Sequence, residues 1–328
     1  MKTKVFLTLL TPILIASLLS GCATLTREEA ASGRMMDPIV STDWLYAKSK
    51  LENLVIIDIR GPGDYAAGHI PGSINEPFVT AFDPCTGPTS NWIIGTKDCL
   101  WLELPGLDDL MGTIGKLGIT PDSRVVIVTA PNPKEPPFYG LANATRVADT
   151  LIYAGVANVA ILDGGYPKWV SEGRATTKEV PAVKSVTYRN EVKKGMFVST
   201  NYVQRQMKNA VIIDARNANV YSGLAIEPFT NKAGHIPNAK SLPAPSIWNQ
   251  NPDGTYTYKD PKTLGKMVSG VMGKSANPRS QEIIVYCGVG GYASSWWFVL
   301  TQVLGYQNVK IYDGAAQEWA KNYDMVIQ

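Results

Sequence analysis

The stretch of this chain best suited to do chemistry is Cys287-Gly288-Val289-Gly290-Gly291-Tyr292, which follows the apolar run Ile283 to Tyr286 and leads into a helical stretch from Ala293. Its three glycines permit backbone angles that other residues resist. Successive N–H groups can therefore turn toward one atom as an anion-binding nest. The N-terminal end of the following helix adds partial positive charge. Both effects favour thiolate over thiol, and the thiolate is the nucleophilic form of cysteine. A cradle formed by Gly288, Val289, Gly290, Gly291 and Tyr292 also suits the anionic Cys–S–S⁻ left when a cysteine captures a sulfur atom. Cys287 is the expected nucleophile, with Tyr292 lining its pocket.

The other chemistry-bearing residues read as structural. His69 and His235 are the only histidines, and each sits in a Gly-His-Ile-Pro motif (Gly68 to Pro71, Gly234 to Pro237). The first of these has no cysteine to serve, so a turn with a hydrogen-bonding side chain is the better reading. Asp58 and Arg60, and likewise Asp214 and Arg216, form Asp-x-Arg pairs at the ends of apolar runs. Asp214, Arg216 and His235 are expected near the site as turn-fixing groups, and the same role is expected of Asp163 and Asp313. Two histidines and one unpaired cysteine do not make a metal site; no metal or cofactor is expected. A Cys-x5-Arg phosphatase loop would need arginine six residues after Cys287, where Ala293 stands.

These residues belong to a sentence written twice. Val40-Ser41-Thr42-Asp43 is matched by Val198-Ser199-Thr200-Asn201, and Val55 to Arg60 by Val211 to Arg216. Both copies then carry Gly-His-Ile-Pro, and both close on Asp-Gly followed by tryptophan (Asp163, Gly164, Trp169; Asp313, Gly314, Trp319). Repeat detection fixes the architecture before anything else. Short apolar runs without polar alternation suit strands covered on both faces, hence a parallel sheet. The runs are Val55 to Ile57, Val125 to Val128 and Val159 to Leu162, then Val211 to Ile213, Ile283 to Tyr286 and Val309 to Tyr312. Helical stretches Leu141 to Tyr153 and Ala293 to Leu304 end at Gly155 and Gly305. The expected fold is α/β, with two tandem domains, each a doubly wound, mostly parallel sheet with helices on both faces. Ligands of such sheets sit beyond the carboxyl ends of the strands, where Cys287 lies. Aligning the copies by motif sets Ala130 against Cys287, which leaves the first copy without a nucleophile.

The doubled Asp-x-Arg and Gly-His-Ile-Pro motifs, with a six-residue loop headed by cysteine in the second copy, resemble a tandem-domain rhodanese of the thiosulfate/3-mercaptopyruvate sulfurtransferase family. The resemblance covers about Asp37 to Gln328. It implies ping-pong transfer of sulfane sulfur through a persulfide on Cys287, from a small donor to a thiophilic acceptor, with the first domain inactive. Thiosulfate-using members usually carry basic residues directly after the cysteine, where this chain has Gly288 and Val289. Members acting on mercaptopyruvate often have glycine at the first of these. Both kinds commonly place an arginine before a Tyr-x-Gly, where Val220 precedes Tyr221-Ser222-Gly223. Two cationic contacts for an anionic donor are missing, which keeps a rival open: a non-catalytic rhodanese-like scaffold or sulfur-carrier module of an envelope complex.

The amino terminus reads as an address. Lys2 and Lys4 precede an apolar stretch, Val5 to Leu19, that contains Pro12 and is short for a bilayer span. Leu19-Ser20-Gly21-Cys22 resembles a bacterial lipobox, which implies cleavage before Cys22 and its acylation. The expected parts are a lipoprotein signal peptide (1–21), a tether (22–36), an inactive rhodanese-like domain (37–175), a linker (176–196) and a catalytic domain (197–328). The expected location is the cell envelope, at the periplasmic face of the outer membrane or the cell surface, anchored by lipid, with an envelope protein as a further partner. Outside the cytoplasm, Cys85 and Cys99 are a disulfide candidate, two free buried thiols being the alternative. With 45% hydrophobic and 18% charged residues the composition is that of a globular protein. A net charge of +3, part of it Lys2 and Lys4, gives no nucleic-acid footprint.

Overall fold

The computed structural model describes residues 34–83, 85, 87–132, 136–273 and 278–327. The expected signal peptide, Cys22 and the expected tether as far as Gly33 lie outside the described residues. Everything from Arg34 onward packs as one compact unit. Among the described residues no helix is long and apolar enough to cross a membrane.

The first repeat contains β1 (Ile39–Val40), β2 (Leu54–Asp58), β3 (Ser73–Asn75), a small antiparallel ribbon of β4 (Ala81–Asp83) and β5 (Gly87–Thr89), then β6 (Arg124–Val128) and β7 (Asn158–Leu162). The main sheet has the order β1-β7-β6-β2-β3 and is parallel throughout. The second repeat contains β8 (Phe197–Val198), β9 (Val211–Asp214), β10 (Lys240–Ser241), the antiparallel pair β11 (Trp248–Gln250) and β12 (Tyr256–Tyr258), then β13 (Ile283–Tyr286) and β14 (Val309–Tyr312). Its sheet runs β8-β14-β13-β9-β10, again all parallel, so every strand has a counterpart in the other copy. The expected doubly wound pair of domains is what forms. Apolar β-branched runs fill central strands because both faces are covered.

The two domains share a core. Helices Phe138–Tyr153 and Gly291–Phe298 pack on each other more extensively than any other pair of elements. One apolar cluster runs from Ile57 and Val147 in the first domain to Val285 and Trp296 in the second. The outer faces of the two sheets are covered by separate smaller clusters around Trp169 and Trp319. The helix after Cys287 continues beyond Phe298 as a π-helical turn, Val299–Val303, before Gly305 takes a left-handed φ of 73°.

Both segments expected to flank the first domain are anchored to the folded unit. Residues 34–36, assigned to the tether, are docked: Arg34 donates to Gln302 Oε1 (2.5 Å) and to the Val159 carbonyl (2.8 Å), and Met36 is buried. The expected linker 176–196 packs along the first domain. Its Thr177 exchanges backbone hydrogen bonds with His69, Val186 N–H donates to the Gly115 carbonyl, and the buried Tyr188 hydroxyl donates to the Ala154 carbonyl. Its charged surface residues hid these anchor points from a reading by composition.

Candidate active site at the end of the central strand

Cys287 follows β13 directly, at the point where the chain leaves the sheet between β9 and β14. The order of strands reverses beside it, since β9 leads outward to β10 and β13 leads the other way to β14. Such a switch point opens a crevice above the strand ends. The carbonyls of Cys287 and Gly288 accept N–H bonds from Ala316 and Gln317 on the helix Ala315–Asn322, which fixes the start of the loop. Gly290 then takes φ of 101°, a left-handed angle that a glycine adopts without strain. That turn aims its N–H at the sulfur: Gly290 N lies 3.0 Å from Cys287 Sγ.

The sulfur has further donors in Val289 N–H and Ala293 N–H. Of the expected cradle, Val289 and Gly290 contribute donors, and Ala293 at the start of the helix joins them. Gly288, Gly291 and Tyr292 shape the loop. Tyr292 is buried beside Cys287, with its ring 5.1 Å from that of Tyr139 and its hydroxyl unpartnered.

The electrostatic outcome differs from expectation. Burial raises the Cys287 thiol above its ordinary pKa, and the nearby Glu227 carboxyl adds to that, against the lowering by the Ala293, Val289 and Gly290 N–H groups. The nest is present, but the cysteine is only 3% exposed and desolvation of the thiolate outweighs it. The cover comes from the segment after Tyr221-Ser222-Gly223. A Cβ on Gly288 would run into the Glu227 carboxylate and the edge of the Phe229 ring, so any larger residue directly after the cysteine would have to displace the Glu227 side chain. Phe229 meets Trp101 of the first domain at 5.3 Å between ring centroids. A cavity of about 180 Å³ opens there, lined by Cys85, Cys99, Trp101, Pro228, Phe229 and Gln317. Cys85 and Cys99 are joined as a disulfide, with Cα atoms 4.9 Å apart, and hold the strap that carries Trp101. The Trp101 indole N–H donates to the Cys85 carbonyl (3.0 Å).

The Asp-x-Arg and Gly-His-Ile-Pro motifs form one network in each copy. Arg216 pairs with Asp214 (2.6 Å) and donates to the Gly234 carbonyl (2.7 Å); Arg60 does the same with Asp58 (2.6 Å) and Gly68 (2.9 Å). His235 Nδ1 lies 2.8 Å from the Tyr221 carbonyl with its ring stacked on Tyr221 at 3.8 Å, and His69 Nδ1 lies 2.9 Å from the Tyr65 carbonyl with its ring stacked at 3.7 Å. Near-identical geometry in a copy without a cysteine gives both histidines a structural role. In the second copy alone, the Tyr286 hydroxyl joins in, donating to Asp214 Oδ2 (2.6 Å) and accepting from Ile236 N–H.

Asp163 and Asp313 do more than fix turns. Asp313 accepts from Leu104 N–H (3.0 Å) and pairs with Arg146 (2.8 Å), both of the first domain; Asp163 accepts from Tyr258 N–H (2.9 Å) of the second. Each therefore clasps the opposite domain. Gln317 adds two bonds to the Trp101 backbone, 2.8 Å each. Arg146 also backs the loop: a Cβ on Gly290 would lie 3.4 Å from its Nη1. Glu103, beside this cluster, is pushed up to about 8, mainly by burial and then by the Asp313 charge.

The register corrects one alignment. Tyr286 pairs with Asp214 in the second sheet, and Val128 pairs with Asp58 in the first, so Thr129 occupies the position of Cys287 and Ala130 that of Gly288. Equivalent bonds agree: Ala316 N–H donates to the Cys287 carbonyl and Tyr166 N–H to that of Thr129. Aligning by residue likeness had set Thr129 against Tyr286, one residue out. The Thr129 hydroxyl is tied to the Gly140 carbonyl (2.7 Å), so the first copy still has no thiol there.

Glu227, Phe229, Trp101, Gln317 and Arg146 were not singled out in the sequence. Arg146 left a trace, as one of two charges, with Asp149, within an apolar helical stretch, where a fully buried arginine demands a partner. Among the described residues no cluster of three metal-ligating groups occurs.

Known proteins match this architecture over almost all of its length. The Rhodanese-like domain model matches twice, at residues 41–172 and 199–322. A protein of Synechococcus elongatus named "putative thiosulfate sulfurtransferase" is 27% identical, over 97% of this chain and 93% of that protein. The sulfur carrier protein TtuD of Thermus thermophilus is 29% identical, over 86% and 93%. Among solved structures, the anaerobic ergothioneine biosynthesis enzyme from Chlorobium limicola, in complex with trimethyl histidine, superposes with a TM-score of 0.70 at 20% identity, over 89% of this chain and 71% of that one. That likeness is one of fold. With two matched domains, paralleled sheet by sheet, the chain belongs to the rhodanese family.

Proposed function

We propose that this protein is a sulfurtransferase that carries sulfane sulfur as a persulfide on Cys287. The observation that carries the reading is the set of N–H donors from Val289, Gly290 and Ala293 around Sγ at the end of the central strand. In the first half-reaction the Cys287 thiolate attacks the outer sulfur of a small donor of the thiosulfate or 3-mercaptopyruvate type. A Cys–S–S⁻ forms and the remainder of the donor leaves with the bonding pair. In the second, a thiophilic acceptor takes the outer sulfur and the thiolate returns. Backbone N–H groups serve both stages because they need no reorganisation as charge moves from one sulfur to the next. No cofactor takes part.

Incubating the reduced protein with thiosulfate or mercaptopyruvate and weighing it intact tests this. The wild type gains about 32 Da, one sulfur atom, and Cys287→Ser does not. No adduct and no turnover with either donor overturns it. A non-catalytic scaffold would leave a deletion phenotype fully rescued by Cys287→Ser.

We also propose that lipid on Cys22 anchors the protein in the cell envelope. Cys22→Ala should move it from the membrane fraction to the soluble one; unchanged membrane association overturns the anchor.

A further inference from the structure

We propose that Glu227 selects the sulfur donor of this site, admitting organic donors that carry at most one negative charge and disfavouring the thiosulfate dianion; this rests on Cys287 being the sulfur carrier. Glu227 is placed for it. Its carboxylate lies against Gly288, the residue directly after the cysteine, and its charge is felt at both Cys287 and Tyr292. Its Oε2 is buried and has no hydrogen-bond partner. A buried carboxylate is ordinarily paired, because desolvating an unpaired charge is costly.

The groups that face Glu227 can be named. From the end of β9 come Arg216 and Asp214, whose charges oppose each other at Glu227, and from the loop come Cys287 and Tyr292. Arg216 binds Asp214 and the Gly234 carbonyl through Nε and Nη2, while its Nη1 is buried without a partner. On the segment of Glu227 itself, Lys232 is engaged with Asp324 and the Tyr323 carbonyl. Trp101, Phe229 and Gln317, which line the adjoining cavity, are uncharged. The site therefore offers an approaching anion a carboxyl group where Val220 and Val289 leave no cation. Burial, and secondarily Asp214, push the Glu227 carboxyl up to about 7, with Arg216 opposing. At lower pH it is neutral and tolerates an anion; at higher pH it is a carboxylate and repels one. Like charges brought together in such surroundings are strongly disfavoured.

Thiosulfate and methanethiosulfonate form a matched pair of probes, since a methyl group replaces one oxyanion. In both, the thiolate attacks the outer sulfur and the sulfur–sulfur bond breaks. Its electron pair leaves with sulfite or methanesulfinate, and no proton or oxidant is needed. The measurement is the rate of persulfide formation with each probe, by intact mass, in wild type and Glu227→Gln. The ratio of the two probes removes any change in Cys287 ionisation, which is common to both. At about pH 8.5 the thiosulfate-to-methanethiosulfonate ratio should rise about tenfold in Glu227→Gln. In the wild type alone the same ratio should fall about tenfold between roughly pH 5.5 and pH 8.5, with a midpoint near the Glu227 pKa, so the proposal stays testable if the variant does not fold. Persulfide formation with a ratio indifferent to both pH and the substitution overturns the role of Glu227 while leaving Cys287 as the carrier. No persulfide from either probe overturns both.

Discussion

Arg146, on a helix of the first domain, reaches across to Asp313 at the end of the last strand of the second, with Nη2 2.8 Å from Oδ1 and the arginine side chain fully buried. The same guanidinium group donates to the Leu102 carbonyl (2.6 Å) and lies behind Gly290 of the cysteine loop. The domain without a thiol thus helps to build the site of the domain that has one.

Removing Arg146 leaves the largely buried Asp313 carboxylate without its counter-charge, with only the Leu104 N–H still donating to it. Arg146→Ala should destabilise the protein by about 3–5 kcal/mol, read as a fall in the urea midpoint. It should also slow persulfide formation, because the support behind Gly290 is lost. A variant as stable and as fast as the wild type would show the pair to be dispensable.

Gly290→Ala should impair the site more selectively. An L-residue at a φ of 101° is strained by about 1–2 kcal/mol. Relief of that strain rotates the peptide and withdraws the N–H from Sγ. The expected result is a well-folded protein that accumulates little persulfide, checked by melting temperature and intact mass together.

The pH dependence of Cys287 follows from its surroundings. Alkylation requires thiolate, and burial together with Glu227 raises the thiol pKa, so the midpoint of iodoacetamide labelling should lie above that of an ordinary cysteine. Labelling is slow at neutral pH and climbs in the alkaline range. Glu227→Gln should move the midpoint down. A wild-type midpoint below the ordinary value would mean that the N–H donors outweigh burial.

The strap over the site depends on its disulfide. Closing a loop of this size stabilises by about 3 kcal/mol in the entropic model, so the Cys85→Ser, Cys99→Ser double variant should melt lower by a corresponding amount. Trp101 should lose its contact with Phe229, visible as a change in tryptophan fluorescence. Dithiothreitol should reproduce both effects in the wild type and neither in the variant.

The sequence by itself determined the repeat, the parallel strands and the cysteine at the end of β13 in the second copy. It could do so because those features are local: an apolar run, a turn motif and a glycine-rich loop each encode their own geometry. The Asp-x-Arg and Gly-His-Ile-Pro network was legible for the same reason, since two equal motifs with one cysteine between them argue for structure. Only the tertiary structure decided the rest. Backbone pairing, which side-chain likeness does not report, set Thr129 rather than Ala130 opposite Cys287. Asp163 and Asp313 became interdomain clasps because the partners they reach, Tyr258, Leu104 and Arg146, are far away along the chain. Glu227 lies 60 residues before Cys287 and meets it only when the segment after Gly223 folds over the loop. The chemistry of the nucleophile was written in one stretch of chain; the charge that faces its donor was assembled from several.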